Sequence, residues 1–372
     1  MDKLKSIGKY ILNFVIIIAI GSLALYLTVG KEIGSVFEAL KTAKPLYLLI
    51  MAAVMLAYYL IDAFILFIIC RARGYKLKLR QAFVTNMTGV LFSDLTPSAT
   101  GGQFAQVYVF RHQGIHAGQA SGILAIVFIT YQIVIIAYAT IAMLLNASTI
   151  FRNGQSTLIA VIGLVVNVVI TGGIFLATRS AKVHDFLIVK CIGFLAKIKI
   201  VKDYEKVSAD VSNSFKEFRD ESAALFSRRK LFIEVCLCHA LKLTLLYTLP
   251  FFAARSLGAQ IGIAYPPKFI SLVGIADLPK FISLAAAISL FNTFMPLPGA
   301  SGGSEASFVM LFGFLGKTAA STAMLIWRVF SFYLGLLVSL VTVAVSKDTK
   351  GGGGIVKAAE GGEESDSGPD QD

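Results

Sequence analysis

Pro97-Ser98-Ala99-Thr100-Gly101-Gly102-Gln103-Phe104-Ala105-Gln106 and Pro298-Gly299-Ala300-Ser301-Gly302-Gly303-Ser304-Glu305-Ala306-Ser307 share one frame, P-x-A-[T/S]-G-G-x-x-A. Each copy follows a Leu-Phe pair, Leu91-Phe92 or Leu290-Phe291, and each lies in strongly apolar surroundings. Proline and paired glycines interrupt helices, so each copy divides an apolar segment into two short helices. Such interruptions at corresponding places in two halves of a membrane chain point to a transporter's binding site.

The surrounding composition makes the membrane setting plain. Charged residues are 15% of the 372 and mean hydropathy is +0.75, against about 25% charged in an ordinary soluble domain. Six stretches read as full spans, near 10–29, 44–70, 117–145, 157–178, 231–254 and 318–345. The first is too long for a signal-peptide core and lacks a small-residue cleavage site, so it reads as a retained span. Two further segments, 81–110 and 281–316, hold the two motif copies. Each half has roughly 15 residues, too short to cross about 30 Å of hydrocarbon as one helix. Re-entrant helical hairpins are therefore expected, and such backbone is tolerated at membrane depth only when buried in protein or lining a wet cavity.

Lys and Arg orient the chain. Of the 34, 24 fall on one side of the expected topology, 8 on the other, and Lys242 and Arg328 within spans. The positive-inside rule makes the rich side cytoplasmic, with both termini there and the protein in the cell membrane. The hairpin at 81–110 then enters from the cytoplasm and the one at 281–316 from outside. Span, hairpin and span occur twice in opposite orientations, which is the inverted-repeat plan of several secondary transporters. The expected fold is an all-α integral membrane protein, with six spans and two re-entrant hairpins, over residues 1–346. Arg80 and Lys280 open the hairpins at equivalent places, as interfacial anchors. Residues 181–229 read as an amphipathic pair on the anionic inner leaflet or as a cytoplasmic hairpin packed on the bundle. Residues 347–372 are Gly-rich and then acidic, the composition of a disordered tail.

The net charge of +12 follows the membrane and is not a nucleic-acid signature. Cys70, Cys191, Cys236 and Cys238 read as small apolar packing residues. His112 and His116 are spaced i,i+4 with Gly114 between them, and no metal or cofactor is expected. No G-x-S-x-G, H-E-x-x-H, Walker or kinase pattern occurs, so an enzyme is not expected.

The chemistry expected at the motifs is anion binding. Helices starting near Gly102 and Gly302 present N–H groups and positive dipole ends suited to a phosphate. Thr100, Gly101, Gly102, Gln103, Ser301, Gly302 and Gly303 are the candidate substrate-binding residues, and the glycines equally serve close helix packing. Glu305 reads either as a capping-box residue reaching back to Gly302 or as the site of a cationic headgroup or proton. Arg328, near mid-depth in the last span, needs Glu305, Asp94 or a lipid phosphate as partner. Asp62 and Lys242 read as an ion pair or as site residues, and Arg111 as a snorkelling residue or an inner-leaflet phosphate contact.

The Gly-Gly hairpin with its aromatic-containing run and Arg-x-x-Gly (Pro97–Gly114), the Pro-rich Gly-Gly-x-Glu-Ala stretch (Pro298–Phe308), and Trp327-Arg328 with Phe332-Tyr333 resemble one family. It is the lysylphosphatidylglycerol synthase transmembrane-domain family, also described as the flippase-like domain, and the likeness runs from the first span to about Val345. The resemblance implies two re-entrant hairpins and movement of a phospholipid or lipid-linked headgroup between leaflets. Its best-known branch carries aminoacylated phosphatidylglycerol made by a C-terminal soluble synthase domain. After Val345 only the short tail is expected here, so aminoacyl transfer is not. Gln106 stands where many relatives are expected to have a basic residue. The expected partners are membrane phospholipid and the anionic leaflet, with self-association left open. A non-transporting subunit that docks a lipid-modifying enzyme through 181–229 is the alternative, and a membrane-embedded lipid-modifying enzyme is a third.

Overall fold

The computed structural model describes residues 38, 40–41, 43–96, 99–151, 154–179, 228–257, 273–293, 295, 298–300 and 302–346. The expected first span at 10–29, the segment 181–227 and the tail from 347 lie outside the described residues, as does Ser301. The described residues are helical and contain no strand.

The helices are α1 (Pro45–Ala72), α2 (Leu79–Leu95), α3 (Gly101–His112), α4 (Ala117–Leu145), α5 (Gly154–Arg179), α6 (Arg229–Ser256), α7 (Leu278–Asn292), α8 (Gly303–Leu311), α9 (Lys317–Arg328) and α10 (Leu334–Val345). A π-helical turn, Val329–Tyr333, joins α9 to α10. Among the described residues, six stretches are long and apolar enough to cross a membrane: Pro45–Ala72, Ala117–Leu145, Ser156–Gly173, Arg229–Ser256, Ile275–Asn292 and Thr318–Val345. Five coincide with spans expected from the sequence.

The sixth corrects the length argument at one half of the second broken segment. A helical turn at Ile275–Asp277 precedes α7, started by the Asp277 carboxylate, which accepts the Gly274 N–H at 2.7 Å. The continuous stretch is 18 residues, about 27 Å, which nearly matches the hydrocarbon thickness. The second halves remain short. Helix α3 has 12 residues and α8 has 9, about 18 and 14 Å, and neither can cross.

Two contacts at opposite ends show that α1 and α6 run antiparallel. Lys44 N–H, before α1, donates to Ser256 O at the end of α6 at 2.8 Å, and Arg228, before α6, donates to Ala72 O at the end of α1. Helix α2 packs against α1, α3 and α10, and α7 against α4, α5 and α6.

Polar side chains fix α7 inside this apolar setting. Asn146 donates to Ser283 Oγ at 2.8 Å near its start, and Asn167 donates to Leu290 O at 3.0 Å near its end. Helix ends leave carbonyls without intrahelical donors, and lipid offers no substitute for water. Asn167 answers one such carbonyl from the neighbouring helix. The main core joins Tyr247, Phe281, Phe308, Phe312 and Trp327, with the Phe308 and Trp327 rings stacked at 5.0 Å.

Candidate functional site

The two motif copies adopt the same backbone feature at the same position. Ala99 has φ +56° and Ala300 has φ +52°, and among the described residues these are the two non-glycine residues in the left-handed region. Alanine there costs about 1–2 kcal/mol, so both breaks hold strain that surrounding contacts must maintain.

At the first break, Thr96 connects the two helices. Its hydroxyl donates to Phe92 O at 2.6 Å and accepts the Gly101 N–H at 2.9 Å. One side chain thus satisfies a carbonyl leaving α2 and an amide entering α3. At the second break, Gly302 N–H donates to Glu305 Oε2 at 2.6 Å, which is the capping-box bond.

These bonds engage one amide at each helix start where the sequence leads one to expect a phosphate. The Gly101 and Gly302 N–H groups already have side-chain acceptors, and at α8 that acceptor carries negative charge. A phosphate there would meet a carboxylate, which opposes binding. The glycines also approach protein. A Cβ on Gly102 would overlap Ser93 Oγ and sit 2.7 Å from Gly89 O; one on Gly303 would sit 2.8 Å from Met295 Cγ. Gly102 and Gly303 occupy equivalent motif positions, so the pattern serves close packing of each short helix on what precedes it.

The charged residues fall into two groups. In the first, Arg328 Nε lies 2.7 Å from Glu305 Oε1, and Arg328 Nη2 donates to Gly299 O at 3.1 Å. The guanidinium lies over the Phe332 ring at 4.6 Å, and Asp94 acts on it electrostatically. The turn Pro298–Ala300 packs against α2, the helix that carries Asp94. Arg328 therefore holds the second break to its own last span beside the first break's leading helix. The π-helical turn begins at the next residue, a distortion that recurs at functional positions.

In the second group, Lys242 on α6 donates to Asp62 on α1. Lys242 Nζ also lies 4.9 Å from the Tyr131 ring centroid and 5.4 Å from that of Tyr58. The pair lines a cavity of about 210 Å³ between α1, α2, α3, α4 and α6. Asn86, Gln103 and Gln106 share that wall. Asn86 is engaged with Tyr59 O at 3.5 Å, whereas among the described residues the Gln103 and Gln106 amides have no hydrogen-bond partner.

Gln103 thus lines the same cavity as Asp62 and Lys242, while Glu305, Arg328 and Asp94 form a separate group. Thr100 is exposed at the start of α3, and Arg111 is exposed at its far end. Phe332 entered the sequence reading only through the family resemblance, and sequence reasoning missed Thr96, Tyr58 and Tyr131. Aromatic rings and threonines are common in spans, and nothing in their spacing sets these apart. Among the described residues no group of three metal-ligating side chains exists. His112 lies against Tyr108 at 4.3 Å, and the buried His239 ring meets Thr130 Oγ1 at 3.0 Å.

The sequence profile described as the lysylphosphatidylglycerol synthase TM region matches residues 11–339, and the chain belongs to that family. No curated protein matches the chain.

Proposed function

We propose that this member of the family moves a phospholipid headgroup between leaflets, with the acyl chains left in lipid and no chemical change to the cargo. The single observation that carries the proposal is the cavity of Asp62, Lys242, Gln103 and Gln106 among membrane-spanning helices. Charges at membrane depth are costly and mark substrate or ion pathways. Two amides without hydrogen-bond partners among the described residues face the same space, as a polar cargo requires.

Lys242 is the phosphate contact in this proposal, in preference to the α8 helix end that Glu305 closes. The breaks around Ala99 and Ala300 act as the moving joints of two re-entrant hairpins in an inverted repeat. The antiparallel α1 and α6 support that arrangement. Both termini are placed on the cytoplasmic side, in the cell membrane, on the charge distribution. Glu305 and Arg328 hold one of the two exposed states, and breaking their pair accompanies the change to the other.

The test is transfer of head-labelled phospholipids in proteoliposomes, followed by a membrane-impermeant quencher. Wild-type protein is expected to expose the inner-leaflet label, and Gln103→Leu and Lys242→Met to slow exposure. Equal rates in protein-free vesicles and with wild-type protein would overturn the proposal.

A further inference from the structure

The cavity holds an internally neutral pair, one carboxylate and one ammonium, at membrane depth. That neutrality restricts what can enter. An anionic headgroup would satisfy Lys242 and strand the Asp62 carboxylate; a cationic one would strand Lys242. Removing one partner from a buried pair leaves an uncompensated charge, which is strongly unfavourable. A headgroup with both an ammonium and a phosphate supplies a partner to each member and leaves no charge unpaired.

The surroundings suit the same chemistry. Tyr58 and Tyr131 put ring faces beside the Lys242 ammonium, and such faces attract cations. Gln103 and Gln106 offer donors for phosphate oxygens and acceptors for an ammonium. Gly89 makes room for Gln106, since a Cβ there would lie 2.8 Å from Gln106 Cγ. At about 210 Å³ the space lies below the 300–1,000 Å³ of drug-sized pockets, which suits a compact headgroup and not a sugar chain.

We infer that Asp62 and Lys242, with Tyr58, Tyr131, Gln103 and Gln106, form a subsite for a small zwitterionic phospholipid headgroup, ammonium towards Asp62 and phosphate towards Lys242. The inference rests on the transport proposal for calling that lipid a cargo, while the binding itself is independent of it.

The experiment is native mass spectrometry of the full chain in mild detergent, titrated with phosphatidylethanolamine, phosphatidylcholine and phosphatidylglycerol of matched acyl chains. The two zwitterionic lipids are expected to bind at least about 10-fold more tightly than phosphatidylglycerol, a difference of about 1.4 kcal/mol. The double variant Asp62→Leu/Lys242→Met removes the pair without stranding a charge and is expected to erase the preference. Gln103→Leu, at an exposed position, keeps the pair and is expected to weaken zwitterion binding. Equal binding of all three lipids, or an undiminished preference in the double variant, overturns the subsite. Selective binding without labelled-lipid transfer upholds the subsite and removes the transport proposal. Transfer without headgroup preference does the opposite.

Discussion

Replacing Glu305 by Gln separates two roles that one side chain performs. The amide still accepts the Gly302 N–H, because glutamine serves the capping box as glutamate does. What disappears is the negative partner of Arg328, held at 2.7 Å, with 7% of the Arg328 side chain exposed and 24% of Glu305. Breaking a buried pair from one side costs about 3–5 kcal/mol. The Gly299 carbonyl, the Phe332 ring and Asp94 still face the guanidinium and lower that figure. The expected loss is about 2–3 kcal/mol. Adding Arg328→Met removes the stranded cation but also the guanidinium beside Asp94 and the Gly299 carbonyl, so the double variant is expected to recover part of the loss. Reversible unfolding in mixed detergent micelles, with the four proteins as a double-mutant cycle, measures the coupling directly. A Glu305→Gln protein as stable as wild type, or additive single and double effects, would refute the pairing as a source of stability. Lipid transfer at a temperature where all four stay folded then isolates function. Transport lost in Glu305→Gln and still absent in the restabilised double variant assigns the pair a role in the cycle itself.

Three further outcomes follow from the breaks. Ala99→Gly and Ala300→Gly each relieve left-handed strain of about 1–2 kcal/mol against about 0.4–1 kcal/mol of added unfolded-state entropy. Each is expected to gain about 0.5–1 kcal/mol in the same unfolding assay, and a loss at both positions would contradict the matched conformation. Thr96→Val strands the Gly101 N–H and is expected to cost about 1–3 kcal/mol, whereas Thr96→Ser keeps the hydroxyl and most of the stability. Gly102→Ala drives a methyl into Ser93 and the Gly89 carbonyl and is expected to cost about 1–3 kcal/mol, with Ser93→Ala restoring only part because the carbonyl cannot withdraw. Melting temperatures of the single and double variants check both.

How much could be read beforehand differs from element to element. The spans at 44–70, 117–145, 157–178, 231–254 and 318–345 are legible because the bilayer imposes a length and a composition on each helix separately. The start of α7 was not, because it depends on one carboxylate, Asp277, capping a turn three residues ahead of the apolar run. Glu305 was legible as a capping residue from its spacing to Gly302, and Asp62 and Lys242 as a pair because each is an isolated charge within an apolar span.

Sequence by itself determined that this chain is helical, crosses a membrane several times, and is broken twice by one repeated motif. Those properties are local: hydrophobic length, and the inability of proline and paired glycines to continue a helix. Only the tertiary structure decided what the motif does. It places Gly102 and Gly303 against protein, gives the Gly101 and Gly302 amides to Thr96 and Glu305, and turns both motif alanines left-handed. It also decided that Arg328 takes Glu305, and that Gln103 joins Asp62 and Lys242 at one cavity. Residues 180 positions apart, as Asp62 and Lys242 are, meet because α1 and α6 pack side by side. A charge in lipid must find a partner, but the sequence names several candidates and the packing of helices selects one.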